Sequence, residues 1–204
     1  LKPGAVVTDA GSTKANVVAA ARAALGERFA DFVPGHPIAG SEQSGPGAAR
    51  ADLYRGKRVV LTPQADTRAS ALATVRALWE AAGAQVETLD ADLHDRVFAA
   101  VSHLPHLAAF ALVDELAQRP DGDTFFRFAA SGFRDFTRIA GSSPEMWRDI
   151  ALANREAVLA ELDAYLAALR SLRQAVDGHD AEALLKLFSR ARDARESWMK
   201  KQDS

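Results

Sequence analysis

His36 stands in the run VPGHPIAGSEQSG, residues 33–45, between Gly35 and Pro37. A glycine and a proline leave the backbone around it few alternatives. An imidazole held in that way can accept a proton near neutral pH. The AGSEQSG that follows adds backbone N–H groups, Ser41 and Glu42. Such a histidine is either a base aimed at a substrate or a structural side chain hydrogen bonded within a stiff loop.

Three other clusters have residue types that fit chemistry. In TDAGSTK, residues 8–14, a strand end, Gly11 and Ser12 precede a helix. That places Ser12 at the carboxyl edge of a sheet, where open α/β folds bind ligands; the plain alternative is a helix cap. In VSHLPH, residues 101–106, Ser102 and His106 are four apart and share a helix face. His103 is turned away by about 100°. In GFRDFTRIAGSSPEMWRD, residues 132–149, Arg134 and Arg138 sit among aromatics ahead of a helix start. Arginine forks carboxylates, and helix starts attract anions. The alternative is a surface network with Asp135 and Glu145. Five histidines occur, but no HExxH or facing carboxylate pair accompanies them, so no metal site is expected. A base, a hydroxyl and an arginine clamp suggest a small anionic substrate that must lose a proton. The sheet edge suggests a nucleotide cofactor.

The elements that must position these groups read as follows. AVVTD (5–9) is a short buried strand, and GSTKANVVAAARAAL a helix capped by Ser12 or Thr13. RFADFV (28–33), KRVVLTP (57–63) and AQVETL (84–89) read as strands. ASALATVRALWEAAG (69–83) is a helix with Leu72, Val75, Trp79 and Ala82 on one face and Gly83 just past its end. The β-α-β-loop-β-α-β order suggests an α/β sheet over residues 1–89. Residues 90–204 show no convincing strand. A long helix covers 90–119, kinked by Pro105, and a looser segment covers 120–143. Ser143 with Pro144, or Ser142 with Glu145, starts a helix running to about Val176. Val158, Leu162, Tyr165, Leu169, Leu172 and Val176 form a seam for another helix, and 180–200 is a final amphipathic helix. These stripes exceed what one small bundle needs, and point to a dimer interface.

Composition narrows the class. Hydrophobic residues make up 48% and charged residues 25% of the 204, and the formal net charge of -2 offers no basic surface for nucleic acid or anionic membrane. Cysteine is absent, which removes disulfides and thiolate chemistry. No apolar run approaches a membrane span and no signal peptide is visible, so a cytoplasmic location is expected.

DAGSTK, GHPIAGSEQSG, LYRGKRVVLTP, LHDRVFAAVSHLPHLAAFAL and GFRDFTRIAGSSPEMWRDI, in this order, resemble the prephenate dehydrogenase family, which includes arogenate and cyclohexadienyl dehydrogenases. The resemblance covers nearly all of residues 5–155; the last 50 or so match only in helical character. It implies a Rossmann-type dinucleotide-binding portion over 1–89. An all-helical substrate-binding and dimerisation domain over 90–204 would follow, like the C-terminal domain of 6-phosphogluconate dehydrogenase, making the chain mostly α. It also implies NAD or NADP as cofactor, prephenate or arogenate as substrate, and a homodimer through the helical part. By matching position, His36 would be the acceptor and base for the ring hydroxyl. Ser12 would position His36 and the nicotinamide, with Gly11 on the cofactor side. Arg138 would bind a substrate carboxylate. Ser102 and His106 would line the pocket with Ser41 nearby, and Glu42, Arg134, Trp147 and Asp95 would gate or shape it, Asp95 coming from the partner chain.

One departure is large. The family's GxGxxG fingerprint does not occur in these 204 residues, nor does the residue that tells NAD from NADP. Residue 1 falls inside the expected Rossmann sheet, so the chain is expected to be a fragment without useful dehydrogenase activity by itself. Two competing readings are a helical interaction module without chemistry and a related hydroxyacid dehydrogenase. The first differs in not requiring His36 to share a pocket with Ser12, Ser102 and Arg138.

Overall fold

The computed structural model describes residue 2, residues 4–40 and residues 45–202. Ser41 and Glu42 therefore lie outside the described residues. The chain divides into two compact units, Leu1–Leu159 and Ala160–Ser204.

In the first unit, β1 (Val7–Thr8) pairs in parallel with β2 (Phe32–Val33). Between them run α1 (Ala15–Leu25) and a 3-10 segment, Gly26–Asp31. The strand expected over 28–33 is thus only its last two residues. Phe29, Phe32 and Val33 fall three and four apart, and the 3-10 turn buries Phe29 and Asp31 ahead of the strand. The start of α1 also differs from expectation. Neither Ser12 nor Thr13 caps it; the residue before its first turn is Lys14, and no side chain of its own closes the helix.

Pro34 ends the pairing with β1. It has no N–H to continue a ladder, and its carbonyl accepts from Thr62 N at 3.0 Å. The chain continues as β3 (Gly35–Pro37), antiparallel to β4 (Arg58–Leu61) with His36 opposite Val60. His36 is therefore a strand residue and not a loop residue. β4 pairs in parallel with β5 (Gln85–Thr88) through the crossover helix α2 (Ala69–Ala81). α2 buries Ala71 and Val75 against Val33, Val59, Leu61 and Ala84, with Leu72 and Trp79 beside them. Ala82, expected on that face, is exposed, because Gly83 at φ +82° turns the chain away there.

α3 (Ala91–Phe98) is capped by Asp90, whose Oδ1 accepts from Asp92 N and Leu93 N. It passes through a π-helical turn, Ala99–His103, into α4 (Leu104–Ala117). Pro105 explains the turn: a missing N–H orphans a carbonyl one turn earlier, and the wider turn absorbs the mismatch. Contrary to the sequence expectation, the continuous helical run Ala91–Ala117 is long and apolar enough to cross a membrane by length and composition. It also contains the buried, hydrogen-bonded His94 and Asp95, as a core helix does.

The segment expected to be irregular holds two short helices, α5 (Gly122–Phe128) and α6 (Ser131–Thr137), then a 3-10 turn, Arg138–Gly141. The rings of Phe126 and Phe133 meet edge-on at 6.1 Å across the two helices. Ser143 caps α7 (Pro144–Ala153), accepting from Met146 N, with Pro144 at the first position. The long helix expected to reach Val176 is broken at Asn154, which has φ -107° and ψ 34° before α8 (Arg155–Asp177) begins. The reason is a buried bond: Asn154 Nδ2 donates to the Asp95 carbonyl at 2.8 Å.

In the second unit, the later turns of α8 are followed by α9 (Ala181–Gln202), capped by Asp180, which accepts from Ala183 N. Leu166, Leu169 and Val176 on α8, and Leu185, Phe188 and Trp198 on α9, are exposed.

Gly35 allows β3 to approach the turn after β1. A Cβ there would lie 3.0 Å from the Asp9 carbonyl oxygen and 3.2 Å from Leu61 Cδ2. Gly35→Ala should cost about 1–3 kcal/mol through overpacking, seen as a lower denaturation midpoint at unchanged m.

Candidate active site

Asp95 lies at the centre of the site. Its Oδ1 accepts from Lys14 N and its Oδ2 from Ala15 N, at 2.8 and 2.9 Å. A carboxylate from α3 thus closes the N-terminus of α1 and faces the positive end of its dipole. Oδ1 also meets His94 Nδ1 at 2.8 Å. Burial works against the charge on Asp95, but the bonds from His94, Ala15 and Lys14 outweigh it and hold the carboxyl below its ordinary range.

His94 is fully buried and passes the contact on, its Nε2 lying 2.8 Å from Nδ1 of His36. Phe98 packs its ring against both, with centroids at 4.8 Å from His36 and 4.4 Å from His94. Burial, then the electrostatic influence of His94, Lys14 and His103, lowers the pKa of His36 to about 3 against the opposing pull of Asp95. The imidazole is therefore neutral across the physiological range.

Lys14 is the second anchor. It is 0% exposed, and its Nζ donates to Asp9 Oδ2 and to the Gly35 carbonyl. Burial lowers its pKa, with Asp9 opposing. Asp9 in turn accepts from Gly11 N at 2.8 Å and Gly35 N at 3.0 Å. One lysine and one aspartate thereby lock the turn holding Gly11 and Ser12 to the strand holding His36.

A second group lies next to the first. Asn154 Nδ2, which donates to the Asp95 carbonyl, is also 3.2 Å from His103 Nδ1. Trp147 stacks on His106 at 3.7 Å and meets His103 edge-on at 6.0 Å. His106 Nδ1 donates to the Ser102 carbonyl at 2.9 Å. Burial lowers the pKa of His106, and takes that of His103 down to about 4. The indole Nε1 of Trp147 is buried without a hydrogen-bond partner among the described residues.

The residues singled out from sequence thus separate. His36, Ser102, His106 and Trp147 stand in these two linked groups. Ser12 is half-buried in the β1–α1 turn, and no hydrogen bond among the described residues joins it to His36. Arg138 is exposed on the 3-10 turn that packs on α4, the helix of His106. Arg134 is exposed, 4.0 Å from Asp135. Within this chain the Asp95 carboxylate is buried and bonded to α1 and His94, beneath His36. Lys14, His94 and Asn154 were not singled out. The adjacent HD pair at 94–95 and the lysine closing DAGSTK were the available signals.

The family of the prephenate dehydrogenase nucleotide-binding domain matches residues 1–88, and that of the prephenate dehydrogenase dimerization domain matches residues 90–190. A cyclohexadienyl dehydrogenase of Zymomonas mobilis is 38% identical over 197 residues, covering 96% of this chain and 67% of that protein. A prephenate dehydrogenase of Bacillus subtilis is 39% identical over 192 residues, covering 94% of this chain and 52% of that protein. The chain therefore spans about half to two thirds of the length of these relatives. The crystal structure of prephenate dehydrogenase from Aquifex aeolicus in complex with hydroxyphenyl propionate and NAD+ superposes with a TM-score of 0.88 at 42% identity, covering 97% of this chain and 68% of that one.

Histidines in an unfolded chain titrate near 6.5. Below that pH the unfolded chain takes up protons that folded His36 and His103 refuse. Their contribution to stability is full above about pH 6.5 and is lost as pH falls toward their folded values of about 3 and 4. The thermal midpoint should therefore drop between pH 7 and pH 4, and drop less in His36→Asn. An equal drop in both proteins would show that folding does not hold His36 neutral.

Proposed function

The chain belongs to the prephenate dehydrogenase family of oxidoreductases, and we propose that it serves the NAD(P)-dependent oxidative decarboxylation of prephenate to 4-hydroxyphenylpyruvate, or of arogenate to tyrosine, in tyrosine biosynthesis. The observation that carries the proposal is a neutral His36 held by His94 at the sheet edge next to the Gly11–Ser12 turn.

The residues present fit the reacting end of a dinucleotide and not its phosphates. The first amides of α1 are already bonded to Asp95, so this helix start is closed to a pyrophosphate. Gly11 and Ser12 lie where β1 ends, and Gly11 has no side chain to keep a flat ring away. When bound, the nicotinamide supplies the hydride acceptor.

His36 accepts the hydrogen bond of the ring hydroxyl and draws its proton as the carbon–hydrogen bond is lost. Ser12 helps position the nicotinamide and, through the turn that Lys14 and Asp9 lock to β3, His36. Arg138 binds a substrate carboxylate and holds the anion in register, while Arg134, on the same short helical stretch, adds positive potential. Ser102, His106 and Trp147 line the pocket, the indole N–H, without a partner among the described residues, offering a donor. Departure of the ring carboxylate as carbon dioxide leaves an aromatic ring, which makes the step effectively irreversible. Placement of an acceptor and a fixed substrate then supplies most of the rate.

The proposed organisation follows the same lines: a dinucleotide-binding portion to residue 89, then a helical substrate and dimerisation portion. Two copies would associate through the exposed apolar faces of α8 and α9, in the cytoplasm.

Steady-state kinetics on the intact protein, with prephenate and arogenate each tested against NAD and NADP, check the reaction. His36→Asn should lower kcat by about 10²-fold or more with little change in KM, on the scale of general-base contributions. Arg138→Gln should mainly raise KM. A mainly KM effect for His36→Asn would remove the base role, and no turnover of either substrate would remove the proposed reaction.

A further inference from the structure

The hydrogen bonds beneath His36 form a chain with one consistent direction. Asp95 offers only lone pairs, and both its oxygens already accept backbone N–H groups of α1. His94 Nδ1, at 2.8 Å from Oδ1, must then be the donor. In a neutral His94 this leaves Nε2 without a hydrogen, so at 2.8 Å it accepts, and His36 Nδ1 donates. The remaining nitrogen of His36, Nε2, is left as a bare lone pair. The reverse direction would need a doubly protonated His94, an imidazolium wholly out of water whose counter-charge, Asp95, is already shared with two helix amides.

We propose that Asp95 and His94 are positioning residues that fix His36 as its Nδ1–H tautomer, so that Nε2 is the atom that accepts the proton from substrate. The proposal rests on the reading of His36 as the acceptor and adds what sets its state. It also assigns work to two buried groups that touch neither substrate nor cofactor. The direction originates at the start of α1, because the helix amides hold Asp95 as an acceptor. Lys14, from the same helix start, and His103, from the π turn, are the other charged or titratable groups acting on His36, and both disfavour a second proton on it. The arrangement therefore selects one neutral form of His36.

The test is the tautomer itself, read by long-range proton–nitrogen correlation on the intact protein labelled with ¹⁵N-histidine at neutral pH. In the wild type, His36 and His94 should each show a protonated Nδ1 and an unprotonated Nε2. His94→Phe removes the acceptor and should move His36 toward the Nε2–H form. With it kcat should fall about tenfold or more, while KM stays within about threefold. His94→Gln, whose amide oxygen can accept from His36, should restore the Nδ1–H form and part of kcat. A wild-type His36 protonated at Nε2, or a doubly protonated His94, overturns the proposal without any variant having to fold. So does a His94→Phe protein in which the His36 tautomer is unchanged. If the spectra agree with expectation but the wild type turns over neither prephenate nor arogenate, the functional reading fails and the relay stands.

Discussion

The interaction on which the rest depends is the carboxylate of Asp95 against the first amides of α1. The bond to Lys14 N spans 81 residues of sequence, so it forms only when the sheet portion and the first helix of the helical portion are already together. Charge-assisted bonds of this kind are stronger than neutral ones, and a carboxylate at a helix start gains the favourable end of the dipole. Removing it would leave two helix amides and a buried imidazole N–H without partners, a change that costs far more than a lost surface contact. The same side chain therefore closes a helix, joins the two portions and orients a histidine.

From that point the structure extends in two directions. Through α1 it reaches Lys14, whose ammonium joins Asp9 to the Gly35 carbonyl and so fixes β3 beside the turn after β1. Through the Asp95 carbonyl it reaches Asn154, which interrupts the helix between Ala153 and Arg155 in order to bond there and at His103. The π turn at Ala99–His103 belongs to the same arrangement. A regular helix would carry His103 and Pro105 round by a different angle, and the added residue per turn sets His103 inward while His106 stacks on Trp147.

Local patterns in the sequence revealed the parts of the fold that local patterns determine. β4, α2 and β5 follow from short apolar runs, a helical stripe and Gly83, and they form within the ranges read, each a little shorter. Pro105 announced a disturbance of the helix, and Ser143 with Pro144 a helix start. The misreadings have one cause. Phe29 to Val33 looks extended because apolar residues cluster there, but burial of Phe29 and Asp31 at helical spacing selects a 3-10 turn. Lys14 looks like a solvated helix residue, and His94 and Asp95 look like a polar pair at a helix start. Nothing within ten residues of any of them shows that they meet. Asn154, one turn before the seam that begins at Val158, gave no signal at all. The motif residues His36, Ser102, His106 and Arg138 were legible as candidates for chemistry, and the buried groups Lys14, His94 and Asn154 were not, because they bond to residues distant in sequence.

A histidine with a pKa of about 3 is a weak base, yet the site proposed here asks it to draw a proton. The two fit once the direction of each influence is followed. Burial and the positive charge of Lys14 depress His36 while the pocket is empty. Prephenate brings two carboxylates and arogenate brings two with one ammonium, so either substrate adds negative charge near the ring. Opposite charge raises the proton affinity of an imidazole. In the proposed reaction His36 would thus be kept neutral, with its acceptor lone pair free, until an anionic substrate arrives and makes that lone pair more basic. Full transfer is not needed before the carbon–hydrogen bond breaks, because the hydroxyl becomes acidic only as the carbonyl forms. A more basic histidine would already be protonated in part of the enzyme at neutral pH and would present a donor where the reaction needs an acceptor. The buried setting that weakens His36 as a free base is what keeps it in its reactive form.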